Sequence, residues 1–177
     1  MDSVRRKKIR LPESEYESGR YFVTICTEKR AKILANLEPL VGADDSVRPY
    51  GASPGVTISL TQIGETVKEC LERLANEEDG IFVDKYVIIP NHLHAVICLE
   101  GGMGGQSRPP LQRVIQRFKS ITTRRVWTMG RKNLWQRSYY DHVIRDEADY
   151  LRIWQYIDEN PARWAEDKYY SEQGDTP

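Results

Sequence analysis

Two β-rich runs, Ile81–Ile89 and Leu93–Leu99, are separated only by Pro90, Asn91 and His92. A connection that short leaves the two runs one way to pair, as an antiparallel hairpin, and the rest of the chain has to be built around it. The run Tyr21–Thr27 is rich in β-branched and aromatic residues and follows Ser18-Gly19, so it reads as a further strand entered from a turn. Ser138–Ile144 supplies a fourth.

Helical periodicity fills the gaps between these strands. After Thr61, which can cap a helix, Ile63, Val67, Cys70, Leu71 and Leu74 recur at helical spacing. Leu111, Val114, Ile115, Phe118 and Ile121 form a second stripe, on a helix whose other faces carry arginine. Asp146 can cap a third helix with the stripe Tyr150, Ile153, Trp154 and Ile157, which Asn160-Pro161 ends. The order β-α-β-β-α-β with one helix appended predicts an α+β fold, the ferredoxin-like split βαβ antiparallel sheet. Residues 41–56 carry turn chemistry without periodicity and read as a loop excursion, and residues 101–109, opening with Gly-Gly-Met-Gly-Gly, read as a flexible link. A chain of 177 residues with 40% apolar content is long enough for one sizeable core, so a single domain over 1–177 is expected.

Composition excludes several classes of function. No apolar run approaches the ~20 residues that span a bilayer, and the basic N-terminal stretch Arg5–Lys8 is followed by no apolar segment, so a cytoplasmic protein without a membrane partner is expected. Cys26, Cys70 and Cys98 are odd in number and far apart, which suits reduced packing residues. The net charge of zero hides segregation: Arg108–Arg145 holds ten Lys or Arg against Asp141 alone, whereas Asp146 to the end holds nine acids and three bases. That pattern fits a local phosphate-binding face, and equally a solvated basic helix beside an acidic tail.

His92 and His94 are two of the chain's three histidines. Two apart on a strand, they share a face with α-carbons ~7 Å apart, near enough for both imidazoles to reach one metal ion. The same spacing would also suit two polar residues on a solvated sheet face. Cys98 is on that face but ~13 Å beyond His94, too far to join a structural zinc site. Tyr156 and Asn160 lie four apart on one face of the third helix, with Tyr156 off the apolar stripe and near a groove. The Asn160 amide oxygen offers a third metal ligand. The chain has ten tyrosines, and Tyr139, Tyr140 and Tyr150 compete, although Tyr150 falls on the apolar stripe.

Three stretches together resemble a known family. They are Tyr86–Ile97 (YVIIPNHLHAVI), Leu134–Glu147 (LWQRSYYDHVIRDE) and Tyr156–Pro161 (YIDENP). In this order, with the opening strand, they resemble the single-tyrosine HUH transposases of the insertion-sequence type, and within these the REP-associated tyrosine transposases. The resemblance implies that His92 and His94 bind a divalent metal, Mg²⁺ or Mn²⁺, and that Tyr156 is the nucleophile. Asn160 stands where insertion-sequence relatives use a glutamine to complete the metal site. It implies a transposase-like endonuclease and strand-transferase on single-stranded or hairpin DNA, working through a 5′-phosphotyrosine and associated with a bacterial nucleoid. Relatives of both kinds, homodimer and monomer, fit the sequence.

For DNA contacts, Arg113, Arg117, Lys119, Arg124 and Arg125 of the basic helix are the first candidates, extended by Arg131, Lys132 and Arg137. Trp127 and Trp135 are candidates to stack on unpaired bases, with core packing the alternative for at least one. Two rival readings remain at this point: a domesticated hairpin-binding protein without cleavage, and a metal-dependent hydrolase or metabolic enzyme on a ferredoxin-like sheet.

Overall fold

The computed structural model describes residues 18–39, 55–77, 80–100, 111–167 and 169–170. In chain order its elements are β1 (Gly19–Cys26), β2 (Ala35–Pro39), β3 (Val56–Leu60), α1 (Gln62–Glu77), β4 (Ile81–Ile89), β5 (His92–Leu99), α2 (Leu111–Trp127), β6 (Tyr140–Ile144) and α3 (Glu147–Glu159). The expected link at 101–109 and most of the excursion at 41–56 lie outside the described residues.

β4, β5, β1 and β6 form one sheet in that order, antiparallel at every junction. This is the ferredoxin-like arrangement, α+β with α3 added. The hairpin behaves as its short connection requires, with Ile89 opposite His92 and Val87 opposite His94. β2 and β3 are a second, two-stranded sheet absent from the sequence expectation. It positions Thr61, which takes the backbone of the preceding segment in hand: its Oγ1 donates to the Ile33 carbonyl and accepts from Gly64 N–H. Thr61 is therefore the N-cap of α1. Gly64 has to be glycine, because a Cβ there would sit 1.9 Å from the Leu34 carbonyl oxygen.

The two faces of the main sheet bury different things. Tyr21, Val23 and Ile25 of β1 and Leu93, Ala95, Ile97 and Leu99 of β5 point to one face, where they meet Val67, Cys70, Leu71 and Leu74 of α1 and Leu111, Val114, Ile115 and Phe118 of α2. Each large side chain fully buried there contributes roughly 1.5–3 kcal/mol. The other face is smaller, with Phe22, Val96 and Ile144 packed under Ile153 and Ile157 of α3. Trp154 departs from the expected stripe. It is exposed, and the Lys85 ammonium lies over its ring. Asp146 caps α3 as expected, accepting from Asp149 N–H at 2.8 Å.

All three cysteines are free. Among the described residues no helix is long and apolar enough to cross a membrane.

Candidate active site

His92 and His94 project from the start of β5 toward the α3 face, both fully buried. The Pro90-Asn91 turn before them is stitched to the segment after β1: Thr27 donates to the Asn91 carbonyl through both its N–H and Oγ1, and Ile33 and Leu34 N–H donate to the Pro90 carbonyl. The turn is thus held rigidly under the first histidine. Asn91 Nδ2 donates to the Tyr169 carbonyl, which turns its Oδ1 to His92 Nδ1 at 2.7 Å. An acceptor there makes His92 Nδ1 the protonated nitrogen and leaves Nε2 with its lone pair. His94 Nδ1 is 2.8 Å from Thr24 Oγ1, its cross-strand neighbour on β1. The two Nε2 atoms then face each other at 2.9 Å. Phe22 stacks on the His94 ring, and Tyr169 packs on His92.

Tyr156 reaches this pair from α3. Its hydroxyl lies 3.4 Å from His94 Nε2 and donates to Asp167 Oδ2 at 2.7 Å. Asn160, one turn on, donates from Nδ2 to the same Oδ2 at 2.6 Å, and its Oδ1 is buried with no hydrogen-bond partner among the described residues. Asp167 was not among the sequence candidates. It follows a short 3-10 turn, Trp164–Glu166, where no periodicity connects a residue to a site. One ligand atom from each of His92, His94 and Asp167 lies within 4.8 Å of the other two. Two imidazole nitrogens, a carboxylate and an orphaned amide oxygen beside them are a donor set that suits a divalent transition ion. The Nδ1 contacts to Asn91 and Thr24 are the outer partners that orient metal-binding imidazoles.

The electrostatics hold the resting proton on tyrosine. Burial first, then the hydrogen bond to Asp167 and its charge, push the Tyr156 phenol well above its ordinary value. Burial alone would raise the Asp167 carboxyl, but hydrogen bonds from His94, the Tyr169 backbone N–H and Tyr156 outweigh it and hold the group well below the usual carboxylate range. Tyr169 is pushed up to about 12, chiefly by burial. The Tyr156 side chain opens on two cavities: one of about 220 Å³ toward Asn160 and Arg163, the other of about 490 Å³ toward β6.

No family model matches the chain. It is 32% identical to an uncharacterized protein of Haemophilus influenzae over 93% of each chain. A REP-associated tyrosine transposase of Escherichia coli matches it at 28% identity over 46% of this chain and 44% of its own length. The sequence likeness to a named protein is thus to a REP-associated tyrosine transposase, over a little under half of the chain. Its fold is that of a solved REP-associated tyrosine transposase bound to a REP hairpin, with a TM-score of 0.58 at 19% identity, covering 95% of this chain and 77% of that one.

The sheet separates the basic residues of α2 from the histidine site. α2 packs on the face opposite His92 and His94, so Arg113, Arg117, Arg124 and Arg125 are not part of the histidine site. Arg113, Arg117, Arg124, Lys132 and Arg137 are exposed, and Arg131 is half-buried. Lys119 and Arg125 are engaged within the fold. Lys119 Nζ donates to the Gln136, Arg137 and Ser138 carbonyls, clamping the approach to β6 onto α2. Arg125 pairs with Glu69 of α1 at 3.3 Å. The two tryptophans part company as well: Trp135 is buried with Nε1 bonded to Thr122, whereas Trp127 is 59% exposed. Trp127, Arg124 and Arg137 line a groove of about 470 Å³ beside Lys119.

Proposed function

We propose that this transposase-like protein is a metal-dependent, single-tyrosine endonuclease and strand-transferase acting on single-stranded or hairpin DNA. The observation that carries the reading is the placement of the Tyr156 hydroxyl, 3.4 Å from His94 Nε2 and 2.7 Å from Asp167 Oδ2. A hydroxyl with a proton acceptor on one side and a metal-ligand candidate on the other is arranged as a nucleophile. His92, His94 and Asp167 would hold Mn²⁺ or Mg²⁺, with the Asn160 Oδ1 as a further donor; two imidazoles favour Mn²⁺. Held there, the ion would act as a Lewis acid toward a non-bridging oxygen of the scissile phosphate and favour the phenolate.

Even at an ordinary pKa of ~10, ionising a phenol at pH 7 costs about 4 kcal/mol, and burial of Tyr156 adds to that. The Tyr156 oxygen attacks phosphorus in line and its proton is released to water. The bond from phosphorus to the 3′-oxygen breaks, and that oxygen takes a proton from water. The products are a 5′-phosphotyrosine and a free 3′-hydroxyl. Attack by another strand's 3′-hydroxyl runs the same step backward, so rejoining needs no external energy source. Exposed Arg113, Arg117, Arg124, Arg131, Lys132 and Arg137 would bind DNA phosphates, with Trp127 stacking on an unpaired base. Lys119 and Arg125 would contribute through the clamp and the ion pair that shape that face.

The test is an incubation with Mn²⁺ or Mg²⁺ and labelled hairpins drawn from the DNA beside the protein's own gene, run on denaturing gels. A protein-linked 5′ end that needs metal and disappears in Tyr156→Phe and His92→Ala is expected. Tight hairpin binding with no adduct would replace the nuclease with a binding protein that keeps the fold.

A further inference from the structure

The larger cavity beside Tyr156 holds a group of polar residues that the cleavage step does not use. Its walls include Phe22, Tyr140, His142, Arg152, Tyr156 and Asp167. His142 Nε2 is 2.7 Å from Asp149 Oδ2, and Arg152 donates to the other oxygen of the same carboxylate. The Asp149 side chain is 15% exposed, against 33% for His142 and 70% for Arg152. One sheltered carboxylate therefore holds an imidazole and a guanidinium side by side at the cleft wall. An imidazole protonated on both nitrogens would donate from Nε2 to Asp149 and present Nδ1–H to a ligand, and the guanidinium has N–H donors to spare. Among the described residues, the acid at this wall besides Asp167 is Glu166, and it is paired with Arg163 at 3.2 Å.

The sheet fixes where this group stands relative to the chemistry. His142 is opposite Phe22, and His94 is opposite Thr24 on the other side of β1. Two strand spacings and a two-residue offset put the α-carbons of His94 and His142 about 12 Å apart. Phe22, between them, touches the rings of His94, Tyr140 and Tyr156. One cleft runs from the nucleophile to His142 and Arg152, walled by aromatic carbon on the way. A flanking nucleotide needs that combination: an apolar wall for its sugar and base, and N–H donors for a phosphate.

We propose that this cleft seats the nucleotide adjoining the scissile phosphate, with His142 and Arg152 binding its phosphate and Asp149 holding the two in position. The inference rests on the DNA-cleaving reading above. It adds a second phosphate site on the histidine face, separate from the basic surface of α2.

The test is fluorescence anisotropy with labelled hairpins that carry a single-stranded flank, each having one flank phosphate replaced by an uncharged methylphosphonate. At one position the wild-type chain should lose about tenfold in affinity. Arg152→Ala and His142→Ala should show that loss on unmodified DNA and lose nothing further at that position, and Arg152→Ala should also make the salt slope shallower by ~0.7. Arg152 is exposed enough that its truncation leaves the fold unchallenged, and Asp149→Asn should reproduce part of the loss without removing either phosphate-binding side chain. Equal responses of wild type and variants at every position would overturn the inference. Indifference of the wild-type chain to every flank phosphate would overturn it too, and leave the adduct assay to judge the nuclease reading separately. A persistent phosphate effect with no Tyr156 adduct would keep the cleft and overturn the nuclease.

Discussion

The two faces of the central sheet use the same strands for different ends. On the α1 and α2 side, alternate residues of β1 and β5 are aliphatic or aromatic and meet two amphipathic helices. On the α3 side, the intervening positions include Thr24, His92 and His94, all buried, under a helix that brings Tyr156. A strand's two-residue period makes this division possible, because each residue can be chosen for one face without disturbing the other. One face is free to carry stability and the other to carry polar chemistry.

The contrast can be broken most sharply at Tyr156. Tyr156→Phe should reduce the covalent adduct below detection while changing the unfolding free energy by only about 0.5–1.5 kcal/mol, the worth of the hydrogen bond to Asp167. Phe118→Ala, buried on the opposite face at 2% exposure, should do the reverse. Denaturant titration should show a loss of about 3–5 kcal/mol, and whatever protein remains folded should keep its metal response. If instead Tyr156→Phe unfolds the protein, the division between the faces is wrong.

Metal addition sharpens the same comparison. Mn²⁺ at a hundred times its dissociation constant should raise stability by ~2.7 kcal/mol, read as an upward shift in melting temperature. His94→Ala or Asp167→Asn should remove most of that shift, and Phe118→Ala should not. The smallest effect belongs to the α3 cap: Asp146→Ala should cost about 1 kcal/mol in thermal or denaturant unfolding, because it releases the Asp149 N–H.

Much of this division was written in the sequence, and its gaps have physical causes. The stripes of α1 and α2 appear where helical spacing put them, because burial against a sheet is what selects such stripes. Strand alternation put His92 and His94 on one face, where the structure has them, whereas spacing left Tyr156 one tyrosine among several and the family resemblance singled it out. Asp167 was not, because a carboxylate after a 3-10 turn is brought to the site by the path of the backbone and by no repeat. The β2–β3 pair was missed because turn residues are spread over the long segment between the two strands, so no short connection marks them as a hairpin. Charge density pointed to α2 but not to the side of the sheet it covers, nor to Lys119 spending its charge on three carbonyls. Periodicity gives the buried stripe of a helix, while the sheet face it joins depends on the whole topology.

The central claim is that Tyr156 is the nucleophile, and mapping the attachment site tests it most directly. Protein reacted with a cleavable hairpin and Mn²⁺ would be digested, and the nucleotide-bearing peptide sequenced by mass spectrometry. The account predicts phosphorylated nucleotide on Tyr156. Attachment at Tyr140, Tyr150 or Tyr169 would contradict it.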